Sequence, residues 1–177
     1  MASTPRPDEE LVDVVDADDR VVETVPRRRM RAARLRHRAV FIAVRSSAGL
    51  LLVHRRSAAK DLWPSRWDVG VGGVVAAGED YDDAARRELF EEVGVDAVPV
   101  PLGGGRHVGR YADDDVDLLA RCYVVVHDGP IAFVDGEVAE ARWVDRDELA
   151  ALLATVPFVP DSLALLPMEE LFPSGLL

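Results

Sequence analysis

The residues of this chain best placed to do chemistry lie between Gly73 and Val95, where Gly73, Glu79, Arg87, Glu88, Leu89, Glu91, Glu92, Gly94 and Val95 stand at fixed spacing. Glu88, Glu91 and Glu92 fall at i, i+3 and i+4, so on a helix their carboxylates crowd one face with Cβ atoms about 5–6 Å apart. Left alone, three like charges repel. A solvated acidic face is one reading, but Leu89 and Val93 on the neighbouring stripe point such a helix toward a core. Divalent cations resolve the repulsion. Mg²⁺, with Mn²⁺ as a substitute, takes oxygen ligands in octahedral geometry, shared among a few carboxylates, waters and substrate phosphates. Glu88, Glu91 and Glu92 supply such oxygens. Arg87 stands one turn before Glu91 and can hold a carboxylate through a charge-assisted pair. Gly73, without a side chain, lets a backbone carbonyl approach the metal.

Positioning these groups requires a helix over Tyr81 to about Val93. Asp80 caps it, Asp83 follows in the manner of a capping box, and Gly94 supplies the left-handed residue past its end. Trp67–Val75 reads as a strand leading toward that helix, and glycines within it mark close approach of the backbone to a ligand. Upstream, Ser57–Arg66 is a loop, and Ala39–Val44 and Gly49–Val53 form a hairpin around Ser46-Ser47-Ala48-Gly49. Glu10–Val15 and Arg20–Val25 form an earlier hairpin around Asp16-Ala17-Asp18-Asp19, after which Pro26 opens a helix to about Leu35. Downstream, strands are expected at Ala97–Leu102, Leu118–Val126 and Ala141–Val144. A helix from about Asp145 to Ala154 and a final one from about Pro160 to Leu171 complete the chain. Mixed strands with helices before, between and after them argue for an α/β sandwich.

A length of 177 residues suits one compact domain with a short extension. No run approaches the roughly 18–20 consecutive apolar residues of a membrane span. Residues 1–9 are polar and proline-bearing, read as a disordered tail; with no apolar secretion segment behind them, a cytoplasmic address is expected. Cys122 sits within the apolar run Leu118–Val126 and reads as a small core hydrophobe. The net charge of −11 argues against a nucleic-acid polymer as partner, because backbone binding needs many cation–phosphate contacts. A local basic cluster nevertheless exists. Arg27, Arg31, Arg34 and Arg38 would form one stripe on a helix, either a solvated face or a surface for a small phosphorylated ligand.

The spacing Gly73 … Glu79 … Arg87-Glu88-Leu89 … Glu91-Glu92 … Gly94-Val95 occupies every fixed position of the Nudix box, and the chain is identified as a member of the Nudix hydrolase superfamily. The resemblance implies an α/β/α sandwich with a mixed β-sheet over residues 37–172, preceded by an N-terminal hairpin and helix extension over residues 10–36. It implies hydrolysis of a diphosphate linkage by substitution at phosphorus, with Glu88 and Glu92 as metal ligands. Glu91 and Glu137 are the candidates for the general base. His37-Arg38-Ala39, Leu51–Ser57, Lys60, Trp63-Pro64 and Trp67 further resemble the segment leading into the box in type I isopentenyl-diphosphate isomerases and similar bacterial Nudix hydrolases. On that resemblance Arg55, Lys60 and Arg38 are the candidate substrate ligands, with a small diphosphate as partner. The isomerases use a cysteine just before the box glycine and a histidine just after it; Gly72 and Val74 stand there instead, which disfavours isomerisation. A sensor that binds nucleotides without consuming them is a further alternative. Tyr111 lies near the position of a tyrosine in dinucleoside-polyphosphate hydrolases but reads as a strand aromatic. Trp63, Trp67 and Trp143 could stack on a base or simply pack. The N-terminal hairpin leaves a homodimer open.

Overall fold

The computed structural model describes residues 9–102, 108–133 and 136–172; apart from Glu9, the expected tail lies outside them. The extension begins with β1 (Leu11–Val15) and β2 (Val21–Pro26), an antiparallel hairpin whose turn is held by Asp16 Oδ1 accepting from Asp18 N and Arg20 N. Helix α1 (Arg27–Ala33) follows Pro26 and ends at Arg34, which turns left-handed. Val12, Val14, Val25 and Met30 bury a small core of their own with Val74, which fastens the extension to the strand that carries Gly73.

The next strand, β3 (His37–Arg45), is the spine of the sheet. It pairs antiparallel with β1, with β4 (Leu51–Arg56) and with β6 (Val71–Val74), and parallel with β9 (Asp117–Val126). The short β5 (Trp67–Asp68) joins β4, β7 (Val100–Pro101) and β8 (Val108–Ala112) join β9, and β10 (Val138–Val144) closes the far edge on β4. Among the described residues the sheet is therefore mixed, with one parallel strand pair, β3 and β9, among antiparallel ones.

Alternation along β3 builds the layers, since successive side chains point to opposite faces. Val40, Ile42 and Val44 meet helix α2 (Tyr81–Val93) through Ala84, Ala85, Leu89 and Val93. Ala39, Phe41 and Ala43 pack instead with Leu149 of α3 (Arg146–Thr155), Leu165 of α4 (Pro160–Leu165) and Leu171 of α5 (Met168–Leu171). Helices on both faces make this an α/β/α sandwich. Helix α2 has the expected bounds, with Asp80 accepting from Asp83 N at 2.9 Å and Gly94 at φ 70° closing its end.

Several expected elements take another form. The strand over Trp67–Val75 divides, because Asp68 Oδ1 accepts from Gly70 N and turns the chain from β4 toward β3. The final helix breaks at Pro167, which pushes Leu166 into an extended conformation. The strand expected over Ala97–Leu102 shortens to two residues, and β8, of which only Tyr111 reads as a strand residue in the sequence, pairs with β9. The arginine stripe does not form: only Arg27 and Arg31 share α1, while Arg34 is its cap and Arg38 lies in β3. Among the described residues no helix is long and apolar enough to cross a membrane.

Candidate active site

A cleft of about 360 Å³ opens beside β6. Its wall is formed by Gly72, Gly73 and Val74, by His37, Ala39 and Phe41 of β3, by Arg27 and Arg31 of α1, and by the 57–66 loop with Lys60 and Trp63. That volume lies in the range of small-molecule sites.

The box glutamates sit behind the glycines. A Cβ on Gly73 would come within 2.5 Å of Glu88 Oε1 and 2.6 Å of Oε2, so the missing side chain is the space the Glu88 carboxylate uses. Glu92, 3% exposed, accepts from Gly72 N at 3.3 Å and has Lys60 Nζ 3.7 Å from its other oxygen. Burial raises the pKa of both carboxyls; Arg87 opposes this at Glu88, while at Glu92 Lys60 opposes it and Glu88 adds to it. Glu91, with its side chain 50% exposed, faces solvent.

Arg87 organises this group. Its guanidinium donates to Glu79 at 2.9 and 2.8 Å, to Glu88 at 2.7 Å, to Glu91 at 3.1 Å and to the Val74 carbonyl at 3.3 Å, tying α2 to the strand before it. The hydrogen bond to Glu79 and the charge of Glu88 push its pKa far above the usual value, so it is permanently cationic. Burial alone would raise the Glu79 pKa, yet the Arg87 bond leaves it lowered.

The donor set suits a hard divalent ion: the buried Glu92 carboxylate, the partly buried Glu88 carboxylate, a third at the solvent edge, and a backbone with no side chain in the way. Among the described residues no three acidic, histidine or cysteine side chains are already drawn together around a metal position. Arg87 and Lys60 supply the compensating charge instead.

Of the other residues singled out in the sequence, Lys60 and Glu137 line the cleft and form an ion pair with each other. Arg55 and Arg38 are not among the residues lining this cleft. Arg55 pairs with Glu140 at 3.0 Å, and its neighbour Arg56 lines the cleft instead, held to the Leu62 carbonyl and lying 3.8 Å from Asp68. Neighbouring strand residues point oppositely, so a one-residue misreading exchanges them. Arg38 lies on the α2 side of β3, bonded to Asp19 at 2.7 Å and close to the Tyr81 ring, away from the cleft. His37 is buried, its Nδ1–H donating to the Leu35 carbonyl at 2.9 Å, and burial lowers its pKa to about 4.

Asp161 was missed. It lines the cleft at the first turn of α4, 5% exposed, and burial together with the charge of Asp68 raises its pKa to about 7. In the sequence it is only an aspartate after a proline; nothing there brings it opposite α1. Of the tryptophans, Trp63 lines the cleft, Trp67 is buried under Arg142, and Trp143 packs against the α2 core. Tyr111 is a strand residue bonded to Asp113.

The isomerase alternative loses its chemistry here. Gly72 has φ +154° and a Cβ on it would come 2.0 Å from the Val40 carbonyl oxygen, so the β3–β6 pairing leaves no room for a cysteine. Cys122 is 1% exposed, donates to the Leu165 carbonyl and has its pKa pushed to about 12 by burial, which makes it a core thiol.

The fold and the box glutamates set behind this cleft define a class, and comparison with known proteins agrees. The sequence matches the NUDIX domain family over residues 35–166, and the chain belongs to that family. It is a Nudix hydrolase, acting on pyrophosphate bonds. An uncharacterized Nudix hydrolase of Pseudomonas aeruginosa is 41% identical over 167 residues, covering 92% of this chain and 95% of that protein. The uncharacterized Nudix hydrolase YfcD of Escherichia coli is 36% identical over 159 residues, covering 90% and 86%. Among solved structures, DR0079 from Deinococcus radiodurans superposes with a TM-score of 0.72 at 28% identity over 88% of this chain and 97% of that one.

Proposed function

We propose that the chain hydrolyses a diphosphate linkage in a small organic substrate of the nucleoside-diphosphate type, using Mg²⁺ or Mn²⁺ held by Glu88, Glu92 and the Gly73 backbone, with Glu91 at the rim. The observation that carries this is the fit of the Glu88 carboxylate into the space of the absent Gly73 side chain, next to buried Glu92 and on the wall of a basic cleft. A bound divalent ion neutralises diphosphate charge and lowers the pKa of a coordinated water.

The chain's own groups do the rest. Arg27, Arg56 and Lys60 bring positive charge to the cleft and orient the phosphates. Arg87 fixes Glu88 and Glu91 relative to β6. Glu91 accepts the proton of the attacking water: it is open to solvent with one bond to Arg87, whereas Glu137 is held by Lys60.

Glu92→Gln keeps the size and removes the charge. Native protein and variant are incubated with Mg²⁺ and a panel of nucleotide diphosphate compounds plus isopentenyl diphosphate, and products are read by mass spectrometry. Cleavage by the native protein, reduced at least ~10²-fold in the variant, supports the reading, since metal-based charge stabilisation is worth several kcal/mol. Isomerised isopentenyl diphosphate, or binding of nucleotides with no turnover by the native protein, overturns it in favour of an isomerase or a sensor.

A further inference from the structure

The cleft reaches α1, which precedes the NUDIX match and brings two arginines to its lining. Arg27 and Arg31 both line it, one helical turn apart, yet their surroundings differ. Arg27 donates to Glu10 at 3.2 Å, and its charge is felt by Glu88. Arg31 is half-buried and feels Asp61 and Asp161 across the cleft. Neither aspartate comes within ion-pair distance of it, and among the described residues no side-chain hydrogen bond or salt bridge engages its guanidinium. The Asp161 carboxylate is instead turned onto its own helix, accepting from Ser162 N at 2.7 Å.

Burial, and then the charge of Arg27, hold the Arg31 pKa down to about 10, so at neutral pH it is still a cation. A charge held in a partly desolvated place without a partner is stabilised by an incoming anion. The diphosphate itself does not answer this need. Arg87 at 2.7 Å from Glu88 and Lys60 at 3.7 Å from Glu92 are the cations set against the box glutamates, and Arg27 and Arg56 are among the charges that act on them most strongly, so we assign the diphosphate to Arg27, Arg56 and Lys60. Trp63 and Leu62 on the facing loop offer apolar surface to whatever joins the two ends.

We propose that Arg31 is a specificity residue that receives a second anionic group of the substrate, a phosphate monoester or a carboxylate, carried beyond the diphosphate. The inference rests on the diphosphate reading above. It favours diphosphates with a charged distal end over neutral ones of the same size.

Matched ligands test it by calorimetry. NADP⁺ against NAD⁺ adds only a phosphate, and UDP-glucuronate against UDP-glucose exchanges only a hydroxymethyl for a carboxylate. The native protein is expected to bind the anionic member of at least one pair about 10- to 100-fold more tightly, the value of a charge-assisted hydrogen bond. The pair that responds tells phosphate from carboxylate. Arg31→Gln should abolish the preference with less than about a twofold change for the neutral member, and Arg31→Lys should keep part of it. Independently of any variant, inorganic phosphate should weaken binding of the anionic member more than of the neutral one. No preference in the native protein, an equal preference in Arg31→Gln, or equal competition by phosphate overturns the proposal. Binding preference needs no turnover. A preserved preference without cleavage therefore overturns only the hydrolase reading, and cleavage without preference overturns only the Arg31 subsite.

Discussion

Substituting Gly73 by alanine separates the site from the fold. Gly73 has a backbone conformation open to any L-residue, so the change carries no φ penalty and can stabilise by about 0.4–1 kcal/mol through the unfolded chain. The new methyl, however, would stand 2.5 Å from Glu88 Oε1, where ordinary contact begins at 3.4 Å. The carboxylate must retreat by about 0.9 Å, and it is the far end of a flexible side chain, so it can. Retreat breaks its 2.7 Å bond with Arg87 and removes it from the Gly73 backbone. A displacement of about 1 Å in a positioned group costs on the order of 10²-fold in rate, or about 2.7 kcal/mol of transition-state stabilisation. The expected result is a melting temperature equal to or above that of the native protein, with kcat/KM for the best panel substrate down about 10²-fold. Gly72→Ala is the control. There the obstacle is the Val40 carbonyl at 2.0 Å and a φ of +154°, so the expected loss is of folded protein itself. The reasoning is refuted if Gly73→Ala keeps activity within about threefold, or if it unfolds as Gly72→Ala does.

Arg87→Lys should lower activity by about 10- to 100-fold, as loss of a residue that orients the ligands of the proposed metal would, and recover little over Arg87→Gln, because a single ammonium cannot reach Glu79, Glu88, Glu91 and the Val74 carbonyl together; equal rates in Arg87→Lys and native enzyme would contradict this. His37 is held neutral in the fold with its pKa lowered to about 4, so the unfolded chain binds the extra proton between about pH 4 and 6.5. Its contribution is fully present above pH 6.5 and is lost as pH falls toward 4, on the order of 3 kcal/mol in all; urea unfolding should lose less stability over that window in His37→Gln than in the native protein. Cys122 should resist a thiol reagent at pH 8 in folded protein and react at once in urea, since its thiol is buried and its pKa stands near 12; rapid labelling of the native fold would count against the packed interior described here.

The sequence by itself determined what is local. Asp80, the 3.6-residue recurrence of Ala84, Ala85, Leu89 and Val93, and Gly94 suffice to define α2, because a helix is closed by hydrogen bonds within one segment. The same recurrence places Glu88, Glu91 and Glu92 together, so the acidic half of the site was legible before any tertiary contact was known. The cationic half was legible only in part, at Lys60. Whether Arg55 or Arg56 faces the cleft depends on the register of β4 against β5 and β10, and a one-residue step reverses the face. Arg38 is decided by which side of β3 meets α2, and Arg31 and Asp161 line one cleft only because α1 and α4, far apart in the chain, border it. Strand register and the docking of distant helices are set by long-range packing. That is why local pattern reaches the box glutamates, while the choice of Arg56 over Arg55 and the place of Asp161 emerge only in the tertiary structure.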